Sequence, residues 1–198
     1  MIERVIISVY DKQGLEYLVP VLGKYDVEII SSGGTARRIK EIGYSNLVEV
    51  SEYTGHPESP GGLVKTLHPK IHGGLLMDRD DPEHKKWMKE NGIEAIDLVV
   101  VNLYPFEKVV SEGADLLEAG HNIDIGGPTM TRSTAKASLL YDDTCIVSDP
   151  DQYAEVIGVL EENEGELTTE LRRRFALTAF KRTAEYDAAI VDYLEDAL

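Results

Sequence analysis

Residues 27–36, VEIISSGGTA, run from an apolar stretch through a glycine-punctuated turn into residues with helical spacing. Val27–Ser31 reads as a strand and Thr35–Ile42 as a helix that stops at Gly43. The same order stands just before it, with Arg4–Val9 as strand and Gln13–Gly23 as helix. This βαβα alternation predicts an α/β fold with a mainly parallel sheet flanked by helices.

The reading extends in both directions from there. Leu47–Val50 is another short strand, and Ser51 to Pro69, rich in proline and glycine, is a long functional loop. Ile71–Met77 is a candidate strand and Pro82–Asn91 a helix stopped by Gly92. Leu98–Asn102 is a fully apolar strand of the kind covered on both faces of a parallel sheet. Next come a helix near Asp115–Gly120, a turn at Gly126-Gly127, a helix from Pro128 to Leu140 and a strand at Thr144–Val147. Helices near Asp151–Asn163 and Thr168–Leu194 close the chain. The expected organisation is a single domain, an α/β core over 1–148 with a C-terminal helical extension over 149–198.

Composition narrows the function classes. With 42% hydrophobic and 28% charged residues, the chain reads as an ordinary globular protein. Its longest apolar run, Ile96 to Leu103, is broken by Asp97 and Asn102 and is far shorter than the roughly 20 residues of a membrane span. Nothing resembling a leader precedes Arg4–Val9, so a cytoplasmic location is expected. The net charge of −16 argues against a nucleic-acid partner. Cys145, the only cysteine, has apolar neighbours and reads as a buried, inert thiol. Although acidic residues number 36, none occurs from Ser59 to Met77 or from Ile125 to Leu140, and these stretches hold Lys65, Lys70, Arg132 and Lys136. The two gaps point to one anion site; the plainer reading is that they are buried segments, which lack acids anyway.

Several segments carry chemistry-bearing residues. In Ser31-Ser32-Gly33-Gly34-Thr35, two glycines let the backbone approach a ligand, Thr35 is placed to cap the helix, and free amides with the helix dipole attract an anion. A tight turn selected for geometry alone fits the same residues, which form neither a complete Walker loop nor a GxGxxG fingerprint. Ser8 and Lys12 stand at the carboxyl end of the first strand, on the same rim. Lys12 reads equally as a phosphate contact and as a solvated surface lysine. The loop Gly61-Gly62-Leu63-Val64-Lys65-Thr66-Leu67-His68-Pro69 is expected to meet the substrate. His68 and His72 are four apart, but Pro69 opposes a helix spanning both, so no metal site is expected. Asn102 and Tyr104 leave the most apolar strand onto the ligand rim. Asp124 reads as a helix cap or a functional carboxylate ahead of Gly126 and Gly127. Lys136, eight residues beyond Pro128, lies about 12 Å further along a straight helix, which strains a compact centre using both Asp124 and Lys136.

Taken together and in order, SVYDKQGL (8–15), SSGGTA (31–36), GGLVKTLHP (61–69), NLYPF (102–106), IDIGGPTMTRSTAK (123–136) and FALTAFKRTAEYDAAIVDY (175–193) resemble the inosine monophosphate (IMP) cyclohydrolase domain of the bifunctional purine-biosynthesis proteins. The resemblance implies a methylglyoxal-synthase-like, Rossmann-type sheet. It also implies a hydrolase that closes formylaminoimidazole carboxamide ribotide to IMP with loss of water, the last step of de novo purine synthesis, without a cofactor. By motif match, Lys65, Tyr104, Asp124 and Lys136 are the catalytic candidates. Ser8, Lys12, Ser32, Gly34, Thr35 and Thr66 are matched to the phosphate or ribose, and Asn102, Gly126 and Gly127 to the base. The family makes a homodimer plausible, and its usual formyltransferase domain is expected to be absent, so that a separate formyltransferase would act as partner. This chain departs from the family at Tyr10, where a small hydroxyl residue is common, at Leu63, where arginine is common, and at Ala137, often asparagine. Weaker substrate binding is the expected consequence. Of two alternatives on the same fold, methylglyoxal synthase lacks its matching pair of aspartates here, and a regulatory nucleotide-binding module would bind without turnover.

Overall fold

The computed structural model describes residues 1–198. Five strands form one sheet: β1 (Arg4–Val9), β2 (Glu28–Ser31), β3 (Leu47–Glu49), β4 (Leu98–Asn102) and β5 (Cys145–Val147), in the order β3-β2-β1-β4-β5. Every pairing is parallel, with Ile6 opposite Ile30 and Val9 opposite Asn102. The apolar runs read as strands are buried for the reason anticipated, since helices cover both faces; Val5, Ile6, Ile7, Ile29, Ile30 and Leu98–Val100 have no exposed surface. From β1 the chain winds toward β2 and β3, and from β4 toward β5. The direction therefore reverses between β1 and β4, and the crevice beyond their carboxyl ends is where open α/β sheets collect ligands.

Ten α-helices accompany the sheet: α1 (Leu15–Lys24), α2 (Gly33–Glu41), α3 (Val50–Thr54), α4 (Pro69–Leu76), α5 (Pro82–Glu90), α6 (Phe106–Ser111), α7 (Leu116–His121), α8 (Gly126–Leu140), α9 (Tyr153–Glu162) and α10 (Thr169–Ala197). The strand expected over Ile71–Met77 is instead α4. His68 takes the cap position, its side chain accepting from the Lys70 amide at 3.1 Å, and Pro69 opens the first turn. The two glycines of α4 serve close packing. A Cβ on Gly74 would stand 2.5 Å from the Glu94 carbonyl oxygen, and one on Gly73 3.1 Å from Trp87. The loop expected from Ser51 to Pro69 contains α3 and a 3-10 turn at Pro60–Gly62, and α6 falls in a stretch for which no helix was expected.

Asp97, which interrupts the apolar run before β4, is buried as a knot between strands. Its Oδ2 accepts from the amides of Glu3 (2.7 Å) and Arg4 (2.9 Å), and its Oδ1 from the Arg79 guanidinium (2.6 Å). A buried carboxylate satisfied this completely aligns the start of β1 with the start of β4. The C-terminal residues are not peripheral, because Leu171, Phe175, Ala176 and Ala179 of α10 join the same core as the strands. Further along α10, Tyr186 and the α6 residue Phe106 meet edge to face at 6.2 Å.

Candidate active site

A cavity of about 310 Å³ opens at the switch point. On one side stands the start of α2. Ser32 occupies its cap position, yet its hydroxyl makes no capping bond and is buried without a partner. Thr35, expected as the cap, is used differently: its Oγ1 donates to the Val9 carbonyl at 3.0 Å and accepts from the Val9 amide at 3.3 Å. That pair ties the first turn of α2 to the end of β1. No acid stands in this turn, so the amides of the helix start and the Ser32 hydroxyl form a positive, unoccupied-by-protein corner of the cavity. Lys12 leans over it. Its Nζ donates to the Tyr10 carbonyl at 2.9 Å, and a Cβ on Gly34 would come within 3.3 Å of its Cε. The lysine is part of the cavity wall rather than a solvated surface group.

β4 supplies the next wall. Asn102 lies opposite Val9, and its side chain is consumed in a clamp: Oδ1 accepts from the amides of Tyr10 (2.7 Å) and Asp11 (2.9 Å), while Nδ2 donates to the Asp11 carbonyl (2.8 Å). Two residues on, Tyr104 faces the cavity beside Tyr10.

The chemistry concentrates at the start of α8, which begins at Gly126 rather than at Pro128. Asp124 Oδ1 accepts from the Gly127 amide at 3.0 Å. Both glycines are required by close approach: a Cβ on Gly126 would stand 2.5 Å from Thr66 Oγ1, and one on Gly127 2.4 Å from Asp124 Oδ2. Burial pushes the Asp124 carboxyl above its ordinary pKa, against smaller downward pulls from the Gly127 and Tyr104 amides, the Lys65 ammonium and the Gly126 amide. Lys65 itself is partly buried, 3.9 Å from Glu58. A partly buried carboxyl held up in pKa beside a lysine is the pattern expected of groups that exchange protons with a ligand.

Of the residues singled out from the sequence, Ser8, Lys12, Ser32, Gly34, Thr35, Lys65, Thr66, Asn102, Tyr104, Asp124, Gly126 and Gly127 all line this one cavity. Lys136 does not. It is exposed on α8, ten residues beyond the helix start and so about 15 Å along the axis, as the helical rise requires. His72 and His68 do not converge: His72 Nδ1 meets Ser133 Oγ at 3.0 Å, and burial pushes its pKa down. Sequence reasoning missed Tyr186, whose hydroxyl accepts from the Asp124 amide at 2.7 Å and so holds the carboxylate's backbone from a helix 62 residues away. Tyr10, marked from the sequence as a departure bearing on substrate binding, is a wall residue of the cavity. Tyr186 stood within a quoted motif, but nothing local shows where its hydroxyl ends up.

Comparison with known proteins agrees with this fold. The MGS-like domain model matches residues 14–129. The chain belongs to the MGS-like domain family. The AICARFT/IMPCHase bienzyme model matches residues 137–198 of this MGS-like chain, so the cyclohydrolase resemblance read from its motifs is borne out. Among curated relatives, the bifunctional purine biosynthesis protein PurH of Persephonella marina is 51% identical over 98% of the chain, and that of Mesorhizobium japonicum 49% identical over 100%. The chain spans 36% of the length of either relative. The crystal structure of ForH superposes with a TM-score of 0.80 at 29% identity, covering 98% of this chain and 100% of that one. No helix of this MGS-like chain is long and apolar enough to cross a membrane.

Proposed function

We propose that the chain is an IMP cyclohydrolase, closing formylaminoimidazole carboxamide ribotide to inosine monophosphate with loss of water. The observation that carries this reading is the meeting, in one cavity, of an acid-free helix start with a partly buried carboxyl and a lysine. The phosphate docks at the start of α2 against Ser32, Thr35 and Lys12, which leaves the heterocycle to reach Asp124. Both reacting groups belong to one molecule, so the protein's main contributions are orientation and proton movement, and no cofactor is needed.

The carboxamide nitrogen attacks the formyl carbon, forming a C–N bond as the carbonyl π pair moves to oxygen. Asp124 as carboxylate takes the proton leaving nitrogen, and Lys65 stabilises the developing oxyanion and protonates it. Loss of that hydroxyl with the proton of the formamido nitrogen gives the C=N bond to that nitrogen and one water, while the carboxamide nitrogen keeps its second hydrogen. The Gly126 and Gly127 amides are directed at Asp124, so they hold the base rather than the oxyanion. Lys136, exposed and outside the cavity, takes no step in this scheme. The substrate's formyl group must come from a formyltransferase acting on the aminoimidazole carboxamide ribotide, which is the partner activity implied, and the cytoplasm, where such ribotides are made, is the proposed location. We further propose a single domain over 1–198 and a homodimer. The test is ultraviolet detection of IMP from the formylated ribotide with wild-type protein, Lys65→Ala and Asp124→Ala. Turnover abolished in both variants is expected; no turnover by folded wild-type protein overturns the reading.

A further inference from the structure

Tyr10 and Tyr104 leave neighbouring strands side by side, because Val9 is in register with Asn102. Their ring centroids are 5.3 Å apart at an interplanar angle of 55°, inside the range that aromatic pairs prefer. Both rings line the cavity, and both remain about half exposed, at 52% and 48%. Exposed rings are ordinarily free to swing, but the backbone that carries Tyr10 is not. Its amide is held by Asn102 Oδ1, its carbonyl by Lys12 Nζ, and the next residue by both ends of the Asn102 amide. The Tyr104 backbone is held by its amide, directed at the Asp124 carboxylate, and by its carbonyl, which accepts from the Phe106 amide at 2.9 Å, so what the neighbouring ring adds is the setting of its side chain.

We propose that Tyr10 is a positioning residue that sets the tilt of the Tyr104 ring, and that the two rings form a wall receiving the planar heterocycle of a nucleoside monophosphate. This deepens the proposed function by assigning the base-binding part of the same cavity. The start of α2 holds the phosphate and Asp124 lies at the reacting end, so a flat aromatic surface is the element the cavity needs to fix the heterocycle between them. A base stacks on such a surface by its π-face, and a ring already held in place loses little freedom on binding.

The test is a double-mutant cycle on the full chain, with IMP binding measured by calorimetry and KM and kcat measured on the formylated ribotide. Tyr10→Leu is expected to weaken IMP binding about three- to tenfold, the range set by aromatic pair energies, and to raise KM more than it lowers kcat. Tyr10→Phe, which keeps the ring, is expected to restore affinity. In a Tyr104→Leu background, Tyr10→Leu is expected to cost less than it does in the wild-type protein. Undiminished IMP affinity in Tyr10→Leu, full additivity of the two changes, or no IMP binding by wild-type protein would each overturn the proposal. Wild-type protein that binds IMP in a Tyr10-dependent way but turns over no ribotide would overturn the cyclohydrolase reading and uphold this one.

Discussion

Asp124 Oδ1 and the Gly127 amide are joined at 3.0 Å at the start of α8, so the carboxyl that carries the proposed chemistry is also the group that caps its own helix. The same contact explains why burial has not displaced the side chain: the helix start offers amides in return for lost water. The cost of keeping a charge there is visible in the raised pKa of Asp124.

That raised value has a sign in stability. The folded state binds the Asp124 proton more tightly than the unfolded chain, so stability declines as pH rises from the ordinary carboxylate value through the folded value. Asp124→Asn keeps the oxygen that meets Gly127 and removes the charge. It is expected to raise Tm at neutral pH, with the gain fading as pH falls to the ordinary carboxylate range, while turnover is lost. Thermal scans from pH 4 to pH 8 decide it, and a gain independent of pH would show that charge burial is not the cause.

Gly127→Ala places a methyl group 2.4 Å from Asp124 Oδ2 and 2.8 Å from Leu103. Alanine favours the helix by about 1 kcal/mol over glycine, so the fold should survive while the carboxylate moves. A displacement on that scale should lower kcat by about 100-fold. Gly158→Ala in α9, with nothing within 4 Å, is the matched control and should leave kcat unchanged. Steady-state kinetics on the two variants separates crowding of the site from a general effect on helices.

Asp97 lies at the other end of β4 from the cavity and holds three donors. Asp97→Ala leaves two buried amides and the Arg79 guanidinium short of their acceptor and should cost about 3 kcal/mol. Asp97→Asn, which retains one acceptor oxygen, should cost less. Urea denaturation measures both, and activity per folded molecule should stay at the wild-type level.

Leu63 is 76% exposed at the cavity, at a position where the cyclohydrolase resemblance leads us to expect arginine. Leu63→Arg adds a cation beside the phosphate region and is expected to lower KM by about two- to fivefold, the range of a solvent-exposed ion pair. The gain should shrink as salt is raised toward 1 M. A KM unmoved at low salt would show that Lys12 and the α2 amides already suffice.

The sequence by itself determined the alternation of strand and helix, the parallel sheet and twelve of the thirteen residues expected at the site. The fold rests on short-range signals, such as the fully apolar run of Leu98–Val101 and the glycine turn after Ser31, and the site residues on the match of ordered motifs to the cyclohydrolase family. Gly73 and Gly74 gave no local sign of the helix, because their close approach to Trp87 and the Glu94 carbonyl involves segments distant along the chain. Only the tertiary structure decided that α4 is a helix, that Asn102 is a clamp, that Lys136 faces away from Asp124, that Tyr186 reaches back to the Asp124 amide, and that Tyr10 meets Tyr104. Periodicity specifies which face of an element is buried, whereas the partner it meets there depends on strand order and register, which are settled when the whole core packs.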